Sequence, residues 1–146
     1  MLENISKLLT GDMLKILCDM GHGDEIVFAD NNFPAETYAQ RLVRCPGVSV
    51  TELYEAINEL FPLDVDYNKN SAFVMDITDE DKAKGMTSSA SWEDYERTLH
   101  IRYPNESLCK LERDEFYKRT KNAYAVFQTG DVRAYANLLL IKGCVL

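Results

Sequence analysis

The segment GHGDEIVFADNNFP, residues 21–34, decides the fold. Its centre, IVFA at 26–29, is too short and too continuously apolar for an amphipathic helix. The turn residues of DNNFP, at 30–34, end it. We therefore predict a central β-strand that is buried on both faces.

Helices are predicted on both sides of this strand. TGDMLKILCDMG, at 10–21, has apolar residues near helical spacing, with Thr10 or Asp12 as its cap and Gly21 as its stop. SVTELYEAINELF, at 49–61, opens with a Ser–Glu capping box and has one apolar face. This second helix is the most clearly marked in the chain.

The remaining segments continue the alternation of strands and helices. We predict strands at 72–78, 100–103 and 125–128, helices at 91–99 and 112–125, a surface loop at 79–89, and a final buried strand in the C-terminal run AYANLLLIKGCVL. Alternating strands and helices predict a layered α/β fold, with residues 1–146 forming a single domain.

The composition narrows the class of protein. Its 16 basic residues are scattered among 24 acidic ones, and the resulting net charge of −8 disfavours nucleic-acid and anionic-membrane surfaces. No apolar segment approaches membrane-spanning length, and the N-terminal stretch MLENISKLLTGD lacks the features of a secretory signal. Four widely spaced cysteines without a C-x-x-C pair indicate free thiols in a reducing compartment. We expect a cytoplasmic protein.

His22 is the first candidate for chemistry, because it stands between Gly21 and Gly23. Two small neighbours leave an imidazole accessible for proton transfer near neutral pH, which favours a catalytic role. The same spacing also suits an exposed turn histidine or a cap on the preceding helix. The residues alone leave these interpretations open.

Asp30 is the second candidate, because ligands of open α/β sheets bind beyond the carboxyl ends of the strands. An Asx turn that opens the NNFPA loop is the alternative. Eight residues carry the chain from His22 to Asp30, and an extended connection of that length spans up to ~26 Å. Either the chain doubles back around Gly23, or two subunits contribute to one site.

Other kinds of site have weaker support. A metal site needs three or four clustered ligands, whereas the region around His22 offers one nitrogen and the hard oxygens of nearby carboxylates. Cys18 falls among helix-core residues without a sign of thiolate activation. No glycine-rich phosphate loop follows a predicted strand. We therefore predict neither a metal nor a cofactor.

The spacing of three residues in the C-terminal half of the chain does not indicate a chemical role. Tyr117 and Tyr124 lie seven residues apart on a predicted helix, a spacing more typical of packing. Arg113 begins an acidic stretch and suits a solvated helix end.

Three separated blocks resemble the L-fucose mutarotase family (FucU), relatives of the D-ribose pyranases (RbsD). They are MGHGDEIVFADNNFPA (20–35), RDEFYKRTKNAYAVFQTGD (113–131) and AYANLLLIKG (134–143). The H-G-D-E and N-F-P-A sequences resemble the fucose branch, whereas the segment 65–105 matches poorly and could alter sugar selectivity. The resemblance implies an RbsD/FucU-type α/β sandwich that interconverts the α and β anomers of a reducing monosaccharide, without cofactor, redox chemistry or metal.

The same resemblance implies roles for individual residues. His22 matches the proton-donating histidine, which would protonate the ring oxygen and recover the proton on closure. Asp30 matches a substrate-binding aspartate and could instead be the base at the anomeric hydroxyl. Arg113 stands where the ribose branch has a histidine. The triplet that contacts sugar corresponds to Tyr135, Ala136 and Asn137.

The resemblance also implies an assembly. Family members form rings, commonly decamers, with sites near subunit boundaries, so we expect pentameric rings or a decamer. That arrangement would relieve the separation between His22 and Asp30. A ribose pyranase, a non-catalytic monosaccharide-binding module and a purely structural ring protein remain the competing functions.

Overall fold

Helices cover both faces of one six-stranded sheet in the computed structural model, which describes residues 2–146. The elements in chain order are α1 (Gly11–Asp19), β1 (Glu25–Ala29), α2 (Ala35–Tyr38), β2 (Leu42–Cys45), α3 (Val50–Ile57), β3 (Ala72–Met75), α4 (Asp79–Ala83), α5 (Ala90–Arg102), β4 (Leu108–Leu111), α6 (Arg113–Asn122), β5 (Ala125–Thr129) and β6 (Leu138–Ile141). The predicted layered α/β class is confirmed.

The sheet has the strand order β2-β5-β1-β6-β3-β4. β5 runs parallel to β1 and β2, and β3 runs parallel to β4. β6 lies between β1 and β3 and is antiparallel to both. The carboxyl ends of the five other strands and the amino end of β6 therefore meet at one edge of the sheet.

Two hydrophobic clusters lie on the two faces of the sheet. Along β1, Ile26 and Phe28 belong to the cluster that packs against α1, α3 and α5. The alternate residues Val27 and Ala29 belong to the cluster that contains Phe116 of α6. Since all four residues of this stretch are fully buried, β1 is the predicted strand with two covered faces.

The strongest local signals are confirmed. Ser49 and Glu52 form the predicted reciprocal capping box of α3, in which each side chain accepts a backbone N–H. Thr10, rather than Asp12, caps α1, because its side chain accepts a hydrogen bond from the N–H of Met13. The C-terminal apolar run is the buried strand β6.

Two local predictions are wrong. Residues 100–102 continue α5 rather than forming a strand, because Leu99 packs in the core on the same helix as Tyr95 and Trp92. The segment 79–89 is not only a loop, since it begins with the short helix α4, whose N-cap Thr78 accepts from the N–H of Asp81. Core packing of α5 outweighs the strand propensity of residues 100–102, and the charged composition of 79–89 does not reveal the N-cap hydrogen bond that stabilises α4.

The prediction also omitted β2, β4 and the short helix α2. β2 and β4 are the two edge strands, and neither contains a buried residue. Their composition therefore lacks the apolar run by which the central strands were found. Among residues 2–146, no helix has the length and apolar character needed to cross a membrane.

Candidate functional site

A cavity of about 250 Å³ opens at the edge where the carboxyl ends of the parallel strands meet. The segments that follow β1 and β3, the start of α6 and the segment before β6 all contribute to it. Its lining residues are Asp30, Asn32, Phe33, Met75, Thr78, Asp81, Arg113, Tyr117, Tyr135 and Asn137. Ligands of α/β sheets commonly bind at such an edge.

Asp30 and Asn137 form a reciprocal pair at the back of this cavity. The backbone N–H of Asp30 donates to Oδ1 of Asn137 over 2.9 Å, and Nδ2 of Asn137 donates to Oδ2 of Asp30 over 2.9 Å. Asp30 also accepts from the N–H of Asn32, and it is only 6% exposed. Burial raises the pKa of Asp30 above its usual range, because a low-dielectric environment disfavours the carboxylate. A raised pKa suits a carboxylate that accepts and returns a proton.

α6 contributes a guanidinium and an aromatic wall to the cavity. Arg113 is the first residue of the helix, and its side chain is about half exposed. One turn later, the ring of Tyr117 stacks on Tyr38, with ring centroids 5.0 Å apart, and meets Phe33 edge to face. The predicted packing role of Tyr117 is thus incomplete, since its ring also lines the cavity.

The triplet before β6 divides between the cavity and the core. Tyr135 and Asn137 line the cavity. Ala136 is fully buried, and its carbonyl accepts a hydrogen bond from the hydroxyl of Tyr95 over 2.8 Å. Ala136 therefore lies behind the wall and aligns its two neighbours through the backbone.

His22 lies elsewhere on the same chain. It precedes β1, at the edge of the sheet opposite the cavity, and its side chain is 41% exposed. Its Nε2 lies 3.1 Å from Oδ2 of Asp64, whose side chain is 2% exposed. The ring of Tyr67 lies 4.8 Å from the imidazole, centroid to centroid.

The segment around Asp64 is fixed by the C-terminal end of β6. The N–H of Asp64 donates to the carbonyl of Ile141, and the N–H of Gly23 donates to the carbonyl of Lys142. Ser71 Oγ donates to the Asp64 carbonyl over 2.6 Å. His22 and Asp64 are therefore brought together by the same strand end.

The two predicted candidates do not share a site within one chain. β1 separates His22 from Asp30, and its five extended residues span roughly 16 Å. Gly23 has a positive φ of 84° and forms the turn that leads into β1. This turn does not bring His22 back to Asp30. The structure therefore excludes a site that is formed by His22 and Asp30 of the same chain.

Sequence reasoning did not identify Asp64 or Asp81 as candidates. Asp81 lies within the segment 65–105, where the resemblance to the mutarotase family is weakest, and Asp64 directly precedes that segment. Neither residue belongs to a recognisable motif. Their significance comes from contacts with His22 and Tyr135, which lie far away in the sequence. Within the described chain, no group of three or more His, Cys, Asp or Glu side chains has a geometry that could hold a metal ion.

Comparisons with known proteins show the family of the chain. Residues 3–145 match the model of the RbsD / FucU transport protein family. The chain is 43% identical to the fucose mutarotase of Mus musculus over 145 residues, which are 97% of this chain and 94% of that protein.

Two solved structures, of a fucose mutarotase and of RbsD, have a similar fold. The fucose mutarotase of Streptococcus pneumoniae, in complex with L-fucose, is similar with a TM-score of 0.91 and 38% identity, covering 99% of this chain and 100% of that one. Bacillus subtilis RbsD complexed with D-ribose has a TM-score of 0.69 and 25% identity, with 100% of both chains covered. The chain belongs to the RbsD / FucU transport protein family.

Proposed function

We propose that this protein is an L-fucose mutarotase, an isomerase that interconverts the α and β anomers of the sugar. One observation carries the proposal: the cavity combines a buried carboxylate, a guanidinium and aromatic rings at the carboxyl edge of the sheet. The 43% identity to a fucose mutarotase supports it.

The lining of the cavity matches the chemistry of a deoxy sugar. Asp30 offers acceptors and Arg113 offers a planar set of donors, which together suit vicinal hydroxyls. Phe33, Met75 and Tyr117 supply apolar walls. L-Fucose has a methyl group at C6 that these walls could cover, whereas D-ribose has no such group. These apolar walls support L-fucose, rather than D-ribose, as the proposed substrate.

The proposed reaction needs two proton transfers. A base removes the proton of the anomeric hydroxyl while an acid protonates the ring oxygen, so that the C1–ring oxygen bond breaks and an open aldehyde forms. Closure on the other face of the aldehyde reverses both transfers. Positioned acid–base groups are worth ~10² to 10⁴ in rate for such steps.

Two residues of this chain suit these roles. We assign the acid to His22, since an imidazole gives and regains a proton near neutral pH. Asp64 orients the ring through the contact to Nε2. Asp30 holds a hydroxyl or acts as the base, for which its raised pKa is favourable.

These roles require His22 and Asp30 to meet across a boundary between subunits. The separation of the two residues on one chain supports a ring in which His22 of one protomer reaches the cavity of the next. We propose a pentameric ring or a decamer built from two such rings, because closed symmetric assemblies are the usual form of soluble oligomers.

We also propose that the protein acts in the cytoplasm. Its four cysteines form no disulfide bond in the described chain, and Cys18 and Cys144 are exposed. Exposed thiols of this kind stay reduced in the cytoplasm, whereas an oxidising compartment would favour disulfide formation. Separation of cell fractions followed by detection of the protein would test this location.

Saturation transfer between the α and β anomeric proton signals tests the activity. We expect the wild-type protein to accelerate exchange of L-fucose well above that of D-ribose at equal concentrations. Acceleration of ribose exchange alone would instead make the protein a ribose pyranase. Sugar binding without exchange would leave a binding module, and no binding of either sugar would leave a structural ring protein.

A further inference from the structure

The short helix α4 borders the cavity but is weakly attached to the rest of the molecule. None of its five residues is buried. Two side-chain contacts hold it in place: Lys82 donates to Asp76 over 3.0 Å, and Asp81 accepts from the hydroxyl of Tyr135 over 2.7 Å. Of these residues, Asp81 and Tyr135 line the cavity.

The hydroxyl of Tyr135 has a single proton, which it donates to Asp81. A carboxylate is only an acceptor, so the phenol must be the donor to Oδ2 of Asp81. This hydrogen bond lowers the pKa of Asp81, which is therefore ionised at neutral pH. The phenolic oxygen also accepts from the N–H of Thr78 over 3.3 Å and lies 3.2 Å from its Oγ1. The polar end of Tyr135 is thus engaged by α4 and its N-cap.

The backbone of Tyr135 is fixed independently. Its φ of 58° lies in the left-handed region, which is uncommon for a bulky residue. The indole N–H of Trp92 donates to the Tyr135 carbonyl over 3.0 Å, and Ser89 Oγ donates to the Ala134 carbonyl over 2.6 Å. With the backbone held by α5 and its N-cap, and the hydroxyl held by α4, the ring has one orientation.

We infer that Asp81 is a positioning residue, which binds the hydroxyl of Tyr135 so that the ring face, and not the hydroxyl, contacts the sugar. The inference rests on the proposed function, because it assumes that a monosaccharide occupies this cavity. Asp81 acts through Tyr135 and needs no contact of its own with the sugar.

A double-mutant cycle tests this inference. Asp81→Ala and Tyr135→Phe both remove the Asp81–Tyr135 hydrogen bond and keep the aromatic ring, so both should raise the KM for L-fucose, by roughly tenfold. Tyr135→Phe also removes the longer contacts of the phenol with Thr78, so its effect should be the same or slightly larger. The kcat of each variant should stay within about twofold of wild type, and the double variant should be no worse than either single variant. A much larger effect of Tyr135→Phe, added in full to that of Asp81→Ala, would show that the hydroxyl binds the sugar directly and would overturn the inference. So would a wild-type KM in Asp81→Ala.

Two matched variants serve as controls. Asp79→Ala removes an exposed carboxylate from the same helix. Lys84→Gln removes the other partner of Asp81, whose Oδ1 accepts from Nζ over 2.9 Å. Both should keep the KM within about twofold of wild type, since neither touches Tyr135.

A second measurement needs no sugar. Amide hydrogen exchange over residues 79–86 should be accelerated equally in sugar-free Asp81→Ala and Tyr135→Phe, and less in Asp79→Ala. Unchanged exchange in both variants would overturn the inference. Because this readout is independent of activity, it separates failure of the Asp81 contact from failure of the mutarotase proposal, which would appear as absent anomer exchange in the wild-type protein.

Discussion

His22 is held by a buried carboxylate, with its Nε2 3.1 Å from Oδ2 of Asp64. The other oxygen of Asp64, Oδ1, is buried and has no hydrogen-bond partner in residues 2–146. Because a carboxylate oxygen only accepts hydrogen bonds, the contact with Oδ2 favours a proton on Nε2 of the imidazole. The proton exchange proposed for His22 would then take place at the second ring nitrogen, Nδ1.

Replacement of His22 should abolish most of the activity. We expect His22→Ala to lower the rate of L-fucose anomer exchange at saturating sugar by ~10² to 10⁴, the usual contribution of a positioned acid–base group. Saturation-transfer NMR measures this rate. His100→Ala is the matched control, because His100 is the other histidine of the chain and is exposed on α5. Wild-type exchange in a folded His22→Ala protein would contradict the assignment.

Asp64 should matter for turnover more than for sugar affinity. Asp64→Asn keeps the shape of the side chain but weakens the hydrogen bond that orients the imidazole of His22, so we expect kcat to fall by about tenfold to a hundredfold with little change in KM. Asp66→Asn, an exposed change in the same loop, should have no effect. Circular dichroism would verify that both variants fold. Equal kcat values in the two variants would rule out a role for Asp64.

Mixing of two inactive variants tests the shared site. If His22 and Asp30 come from different protomers, random assembly of His22→Ala with Asp30→Ala subunits leaves some sites with both native residues. Equal amounts should restore about a quarter of the wild-type activity after co-refolding or co-expression. Each variant refolded alone is the control. If each site lay within one chain, the mixture would stay inactive.

The raised pKa of Asp30 predicts a pH-dependent cost to stability. Because burial raises the folded-state pKa above the unfolded value, the stability linked to the Asp30 proton is fully present below the unfolded pKa and is lost as pH rises through the folded pKa. Asp30→Asn does not titrate at this position. The free energy of unfolding of wild type relative to Asp30→Asn should therefore decrease as pH rises from the acid range toward neutrality. Urea denaturation at a series of pH values measures this difference, and an increase would contradict the stated direction.

Replacement of Gly143 should affect both the stability of the protein and the position of Asp64 beside His22. A Cβ at this position would collide with the Leu63 carbonyl oxygen and lie 2.9 Å from Cα of Asp64. We expect Gly143→Ala to destabilise the protein by about 1–3 kcal/mol and to lower kcat, because the loop that contains Asp64 must move. Gly47→Ala is the control, since no atom lies within 4 Å of its added Cβ. Thermal unfolding and anomer exchange together would show whether the two effects coincide.

Features with local causes could be predicted from the sequence. The capping box of Ser49 and Glu52 formed as expected, and the continuous apolar run at 26–29 became the central strand because both of its faces are covered. The edge strands β2 and β4 could not be found in this way, since half-exposed residues carry no clear periodic pattern. The helical residues 100–102 were also misassigned, because core packing of α5 outweighs local strand propensity.

The sequence by itself determined the alternation of strands and helices, and it marked His22, Asp30 and Arg113 through residue type and resemblance. Only the tertiary structure decided which side chains meet. The antiparallel insertion of β6 between β1 and β3 brings Tyr135 and Asn137 to the carboxyl edge, and the other end of β6 fixes Asp64 beside His22. These contacts join segments that are distant along the chain, so their energies depend on strand order and packing, which no local pattern of residues encodes.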